Sequence, residues 1–159
     1  MIGALRGTGL AGAAVLALSV LAGLAVQAAA ADVGLDAVIV SPTSPGPSSI
    51  CTLKVRVKNG GSQAVSNFRF KVKVDGQELA LYDRQTFAVN VEAGKSDELA
   101  LYSFYSPAAS KSFDVQVTLV EAQGVQVKKD GANTTTTPTG PVAGLPSVAS
   151  VSVKMAAGK

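Results

Sequence analysis

A two-residue alternation of apolar and polar side chains is the feature of this sequence that most restricts its fold. Between residues 50 and 58, one parity carries Cys51, Leu53, Val55 and Val57, and the other carries Thr52, Lys54, Arg56 and Lys58. Successive side chains of a β-strand point to opposite faces of the sheet. The pattern therefore predicts a strand with one buried face and one solvated face.

Six further runs of strand length follow or precede this one, with turn residues between them. They span residues 33–40, 68–74, 87–91, 99–105, 113–119 and 124–128. The run at 99–105 is apolar on both parities, so its pattern does not orient it. Parallel strands would require crossover helices, and the sequence shows no helical spacing between the runs. We therefore predict an all-β fold, an antiparallel β-sandwich of about seven strands.

The sequence changes character beyond Asn133, where Thr, Pro and Gly dominate in TTTTPTGPVAGLP. This composition has no periodicity and is typical of an extended linker. We predict a tail over residues 138–159. Val148, Val151 and Val153 leave open a short terminal strand within it.

The first 31 residues have the layout of a secretory signal peptide. Arg6 is the only charge before Asp32, residues 10–26 are apolar or small apart from Ser19, and small residues follow. We expect cleavage after Ala29-Ala30-Ala31, with Val26-Gln27-Ala28 as the alternative site. An uncleaved membrane anchor is the competing interpretation. Either way, the predicted location is extracytoplasmic: secreted, periplasmic or at the cell surface.

Cys51 is the only cysteine, so the chain has no internal disulfide. It shares the parity of Leu53, Val55 and Val57, which predicts a small buried side chain. An intermolecular bridge or a reactive thiol is the alternative.

The turns of the chain resemble those of CARDB-type immunoglobulin-like modules, which are named for bacterial cell-adhesion-related domains. The resemblance is carried by residues 57–61 (VKNGG), 74–76 (VDG) and 93–95 (AGK), and by the segment SPTSPGPSS at 41–49. It covers residues 32–137. The family usually closes with an acidic residue and paired asparagines, whereas residues 130–133 here are DGAN. The resemblance implies an immunoglobulin-like antiparallel β-sandwich over residues 32–137 and a non-catalytic extracytoplasmic module with a structural or adhesive role.

The residue types needed for catalysis are scarce. Histidine is absent and a single Cys cannot form a thiolate cluster for zinc, so we predict no catalytic residues, no metal ligands and no cofactor. Asp97 and Glu98 are adjacent, and adjacent strand residues point to opposite faces, so these carboxylates would not converge. Asp75 and Asp130 each precede a glycine, and turn formation explains them better than calcium binding.

Two sets of side chains are candidate contact residues. Lys54, Arg56 and Lys58 could make a weak contact with a polyanion, although solvation of an outer face explains them more simply. Arg69, Lys71 and Lys73 form a second row, which the sandwich would place in the other sheet. The net charge of +3 is too small to indicate nucleic acid.

The second set is Tyr82, Tyr102 and Tyr105, which could stack on a sugar ring if exposed. The competing expectation is that Tyr102 and Phe104 share a face that packs into the core. The expected partner is a cell-surface protein or an envelope polymer, with membrane contact only through an uncleaved signal segment. Asn133-Thr134-Thr135 also fits the N-glycosylation pattern, and the neighbouring threonines could carry O-linked sugars.

Overall fold

The computed structural model describes residues 33–80 and 85–157, which form eight β-strands. The predicted signal peptide therefore lies outside the described residues. The strands are β1 (Val33–Ser41), β2 (Ile50–Asn59), β3 (Ala64–Val74), β4 (Gln77–Glu78), β5 (Ser96–Tyr105), β6 (Ser112–Asp130), β7 (Asn133–Pro141) and β8 (Ser147–Lys154). No helix within these two ranges has the length and apolar character needed to cross a membrane.

The first sheet has three antiparallel strands in the order β1-β2-β5. Its central strand, β2, follows the predicted alternation, since Leu53, Val55 and Val57 are fully buried and Lys54 and Lys58 are exposed. Cys51 is also fully buried, as its parity predicted. The burial of one parity fixes which face of this sheet meets the core.

The second sheet has five antiparallel strands centred on β3 and β6. On one side of β6 lies β3, which is followed by the short edge strand β4. On its other side, β8 pairs with the first half of β6 and β7 pairs with the second half. Near the start of β1 the two sheets approach each other, since the backbone amide of Leu35 donates a 3.1 Å hydrogen bond to Ser147 Oγ in β8.

The core lies between the two sheets and is apolar. Its largest fully buried side chains are Phe68, Phe70 and Phe113, together with leucines and valines from β2, β3 and β6. Phe113, Val115, Val117 and Leu119 face inward, as the alternation in that run predicted. Two antiparallel sheets packed over a shared apolar layer confirm the predicted β-sandwich.

Two tight hairpins connect neighbouring strands of the second sheet. Asp75 and Gly76 lie between β3 and β4 with φ values of 48° and 77°, which is the backbone that a type I′ turn requires. The Asp75 carboxylate also accepts a 2.9 Å hydrogen bond from the Asp114 amide, so it ties this turn to β6. Gly131 follows Asp130 with a φ of 64° and begins the turn into β7.

Three predicted elements differ in the structure. The run at 87–91 forms isolated bridges to β3 through Phe87 and Val91, and Val89 is exposed, so it is not a regular strand. The two runs at 113–119 and 124–128 are one continuous strand, β6. Residues 133–141 form β7 rather than a linker, because β6 extends far enough to hydrogen-bond them.

The terminal strand left open by Val148, Val151 and Val153 is present as β8. It pairs with β6 from Ser112↔Lys154 to Leu119↔Ser147. The fold therefore continues well past the Thr-rich segment.

Candidate functional site

The most prominent apolar surface feature lies at one end of the first sheet. Ile50 in β2 and Tyr105 in β5 are directly opposite each other in the antiparallel register. Ile50 is 60% exposed and Tyr105 is 70% exposed. Directly opposed residues of an antiparallel pair project from the same face, so these two side chains form one apolar spot on the surface.

A β-bulge in β5 determines which aromatic side chains reach the surface. Thr52 pairs with Ser103, whereas Lys54 pairs with Ala100, so β5 contributes an extra residue at this place. As a result Leu101 and Phe104, three residues apart, are both buried. Tyr102, which lies between them, is 44% exposed. The expectation that Tyr102 packs into the core beside Phe104 is therefore wrong, because the bulge changes the parity of the strand.

Contacts on one side hold the Tyr102 ring in place. Its centroid lies 6.2 Å from that of Phe87, and Phe87 makes an edge-on contact with Phe70 at 5.6 Å. The Tyr102 hydroxyl donates a hydrogen bond to Gln85 Oε1. A row of aromatic rings thus runs from the core to the surface and fixes the orientation of Tyr102.

An open cavity of about 440 Å³ lies beside this aromatic surface. It is lined by Glu78, Leu79, Ala80, Tyr102, Ser103, Phe104 and Tyr105. We call the cavity and the Ile50–Tyr105 pair together the aromatic edge. The structure therefore brings together two of the three candidate tyrosines, Tyr102 and Tyr105. The third, Tyr82, lies outside the described residues.

Ile50 is a member of this surface that the sequence patterns did not single out. A usable signal was present, because Ile50 has the outward parity of Thr52 and Lys54. A large apolar residue on the polar face of an alternating strand indicates a contact surface more specifically than a tyrosine in an ambiguous run does.

The first cation row lies on the outer face of the first sheet, where its middle member is paired with carboxylates. Arg56 Nη2 lies 2.9 Å from Glu98 Oε1 in β5, and Arg56 Nη1 lies 3.8 Å from Asp36 Oδ2 in β1. The hydrogen bond and the negative charge of Glu98 raise the pKa of the Arg56 guanidinium. This pairing leaves the row of Lys54, Arg56 and Lys58 with less free positive charge than its sequence suggests.

The second cation row lies in the other sheet, as predicted. Arg69 Nη1 lies 2.5 Å from Glu121 Oε2, and Lys71 Nζ lies 3.7 Å from Glu78 Oε1. Because β2 and β3 belong to different sheets, the two rows face away from each other. They do not form one continuous basic groove.

The described residues offer little reactive chemistry. Residues 33–80 and 85–157 contain no group of three or more His, Cys, Asp or Glu side chains that could hold a metal ion. Burial raises the pKa of the Cys51 thiol, and its Sγ lies 3.8 Å from the Ser49 carbonyl oxygen. A thiol in this position is protonated near neutral pH and is a poor nucleophile. The Asp97 carboxylate accepts a 2.8 Å hydrogen bond from the backbone amide of the neighbouring Glu98.

Comparisons with known proteins add the following findings. The family model for CARDB matches residues 31–153 of the chain. Among solved structures, the chain is similar to a crystal structure of the CARDB domain of a Pyrococcus furiosus protein in complex with di-metal ions. The two are 15% identical, the match covers 79% of this chain and 93% of that chain, and the TM-score is 0.47. No curated protein matches the chain.

Proposed function

The chain belongs to the CARDB family of bacterial cell-adhesion-related domains, and on that premise we propose that it is a non-catalytic structural and adhesive module that acts outside the cytoplasm. Its partner in this role is a cell-surface protein or an envelope polymer. The aromatic edge is the surface that meets this partner.

The observation that carries the proposal is the exposed pair of Ile50 and Tyr105. Two large apolar side chains lie opposite each other across β2 and β5 and are mostly exposed. Aromatic side chains are enriched where proteins bind each other, because they provide a large contact area with few rotatable bonds. A small domain that keeps such a pair in water is more stable in a complex that covers it.

The polar groups buried in the described part of the chain support a non-catalytic role. They are Asn59, Ser66 and Ser106. The Ser106 hydroxyl accepts a 2.9 Å hydrogen bond from the Ser49 amide and donates one of 2.6 Å to the Gly46 carbonyl oxygen. Asn59 binds backbone groups in the same way. The Asn59 and Ser106 side chains therefore satisfy buried backbone groups, which is a structural role.

Action outside the cytoplasm depends on the N-terminal segment. The charge of Arg6, the apolar residues 10–26 and the small residues before Asp32 support export and cleavage. Intact-mass analysis of the exported protein should give a chain that begins at or near Asp32. A membrane-bound species that retains residues 10–26 would contradict cleavage.

Binding to isolated envelopes of the source organism tests the adhesive role. The variant Ile50→Ser/Tyr105→Ser should bind at least about tenfold less than the wild type, since apolar anchors dominate interface energies. Val148→Ser is the matched control, because Val148 is 54% exposed but lies in the other sheet. Equal binding by the wild type and the double variant would contradict the proposal.

Carbohydrate binding is the second candidate function, favoured by the shared cavity of Tyr102 and Tyr105. A ring held in a fixed orientation beside an open cavity suits stacking on a sugar. Treatment of the envelopes separates the two functions. Protease treatment should abolish binding to a protein partner, whereas periodate oxidation should abolish binding to a glycan.

A further inference from the structure

The second half of β6 extends beyond the sandwich as a two-stranded ribbon. The pairing of β3 with β6 reaches Val125, opposite Ala64, at the start of β3. From Gln126↔Thr137 to Asp130↔Asn133, β6 pairs with β7 alone among the described strands. Every residue from 126 to 137 is exposed. We call residues 126–137 the ribbon.

The outer edge of β7 lacks the features that usually protect an edge strand. Natural edge strands carry charged side chains, bulges or prolines that prevent pairing with another chain. Residues 131–153 contain no charged side chain, and the register of β7 is regular along the ribbon. The two prolines of β7, Pro138 and Pro141, and the irregularity in register between Pro138 and Gly140 lie beyond the ribbon. The free edge therefore consists of Asn133 and four β-branched threonines, which favour extended structure.

The threonine run is also self-complementary. We propose that the β7 edge pairs antiparallel with the β7 edge of a second copy of this chain. Because the same edge of both copies meets, opposed residues have the same parity, so a two-fold axis at Thr135 places Thr135 opposite Thr135 and Thr134 opposite Thr136. These opposed pairs are Thr–Thr, which is a favourable cross-strand combination, and Asn133 lies opposite Thr137. No like charges meet, because the nearest charged residues of the ribbon are on β6.

The second copy associates weakly. Five opposed pairs form a contact well below the ~1,000 Å² that a stable interface needs. The dimer therefore forms at high protein concentration or where many copies are held on one surface. This inference does not rest on the proposed adhesive role, since it uses a different sheet and a different edge.

Sedimentation velocity over a wide concentration range tests the proposal on the mature chain. The wild type should shift toward a dimer as its concentration rises, and Thr134→Lys/Thr136→Lys should remain monomeric because each lysine would lie opposite a lysine. Thr134→Glu/Thr136→Glu should be monomeric for the same reason. An equimolar mixture of the two variants should dimerise again, since opposite charges would then face each other.

Further measurements separate pairing through the β7 edge from other causes of dimerisation. Ser150→Lys/Ser152→Lys adds the same charge to exposed positions of β8 and should still dimerise. In the dimer, the backbone amides of residues 133–137 that point away from β6 should gain protection from hydrogen exchange. The proposal would be overturned if the chain stayed monomeric at all concentrations or if the ribbon variants still formed the dimer. It would also be overturned if only a different protein protected these amides.

Discussion

The side-chain amide of Asn59 joins the two sheets by donating a 3.0 Å hydrogen bond to the carbonyl oxygen of Val91. Asn59 ends β2 in the first sheet, and Val91 is bridged to Val65 in β3 of the second sheet. The same amide donates a 2.7 Å hydrogen bond to the Gln63 carbonyl oxygen, and Asn59 Oδ1 accepts one of 3.0 Å from the Gly61 amide. The fully buried side chain of Asn59 therefore fixes both the turn after β2 and the segment at Val91 that bridges to β3.

Replacing Asn59 should destabilise the protein more than any surface change. Asn59→Ala leaves two carbonyl groups and one amide without a side-chain partner, which should cost about 3 kcal/mol in the free energy of unfolding. Asn59→Asp should be at least as harmful, because a carboxylate cannot donate to the Gln63 and Val91 oxygens. Urea denaturation followed by circular dichroism measures both.

Asn90→Ala is the control for this prediction. Asn90 is exposed, and its side chain makes one 3.5 Å hydrogen bond to Thr136 Oγ1. Its replacement should change the free energy of unfolding by less than about 0.5 kcal/mol. Equal effects at Asn59 and Asn90 would show that the buried amide does not hold the sheets together.

The Cys51 thiol should react slowly in the folded protein. It is fully buried on the inner face of β2, so a thiol reagent reaches it only when the protein opens. Labelling with a chromogenic disulfide reagent should be slow in native buffer and rapid in denaturant. Fast native labelling, or a disulfide-linked dimer on a non-reducing gel, would contradict this burial.

The same thiol should make stability depend on pH in the alkaline range. Burial raises the pKa of Cys51 above its ordinary value of 9.0, so the folded state holds the proton more tightly than the unfolded state. Its contribution to stability is complete below pH 9.0 and is lost as the pH rises through the folded-state pKa. The stability advantage of the wild type over Cys51→Ala should therefore narrow as the pH rises above 9.0. A constant difference would contradict the raised pKa.

Strands with one buried face could be predicted from the sequence, because burial of one parity leaves an unambiguous pattern. In β2 the alternation from Cys51 to Lys58 predicted the strand, its orientation and the burial of the thiol. The separation of the two cation rows followed from the sandwich topology. These features depend on local alternation and on a fold class that such alternation specifies.

The remaining features depend on contacts between distant residues. The orientation of Tyr102 depends on a bulge, which is visible only in the pairing of β5 with β2. The Thr-rich β7 is a strand because the extension of β6 provides its hydrogen-bond partners, and its composition alone resembles a linker. Residues 87–91 have the alternation of a strand, but only Phe87 and Val91 bridge to β3. A local sequence pattern does not show which distant residues will pair with a segment.

The cation rows should contribute little to stability or to binding of anionic surfaces. Replacing Lys54, Arg56 and Lys58 by Gln should change the free energy of unfolding by no more than about 0.5 kcal/mol per site, since the ion pairs of Arg56 are exposed. Binding to anionic liposomes at physiological salt should be weak before the change and similar after it.

The second row provides the comparison for this prediction. If the weak attraction to liposomes reflects net charge alone, replacing Arg69, Lys71 and Lys73 by Gln should have the same small effect on liposome binding. Tight binding that is abolished only by the substitutions at Lys54, Arg56 and Lys58 would identify the first row as a functional site.

The bulge in β5 should be detectable from the stability of single variants along the strand. Leu101 and Phe104 are both more than 90% buried although they have opposite parity. Leu101→Ala and Phe104→Ala should therefore each cost about 2–5 kcal/mol in the free energy of unfolding, because each removes core volume. Tyr105→Ala should cost less than about 0.5 kcal/mol, since that side chain is mostly in water. A regular strand would bury only one parity, so a small effect at either Leu101 or Phe104 would show that β5 has no bulge and that Tyr102 does not face the cavity.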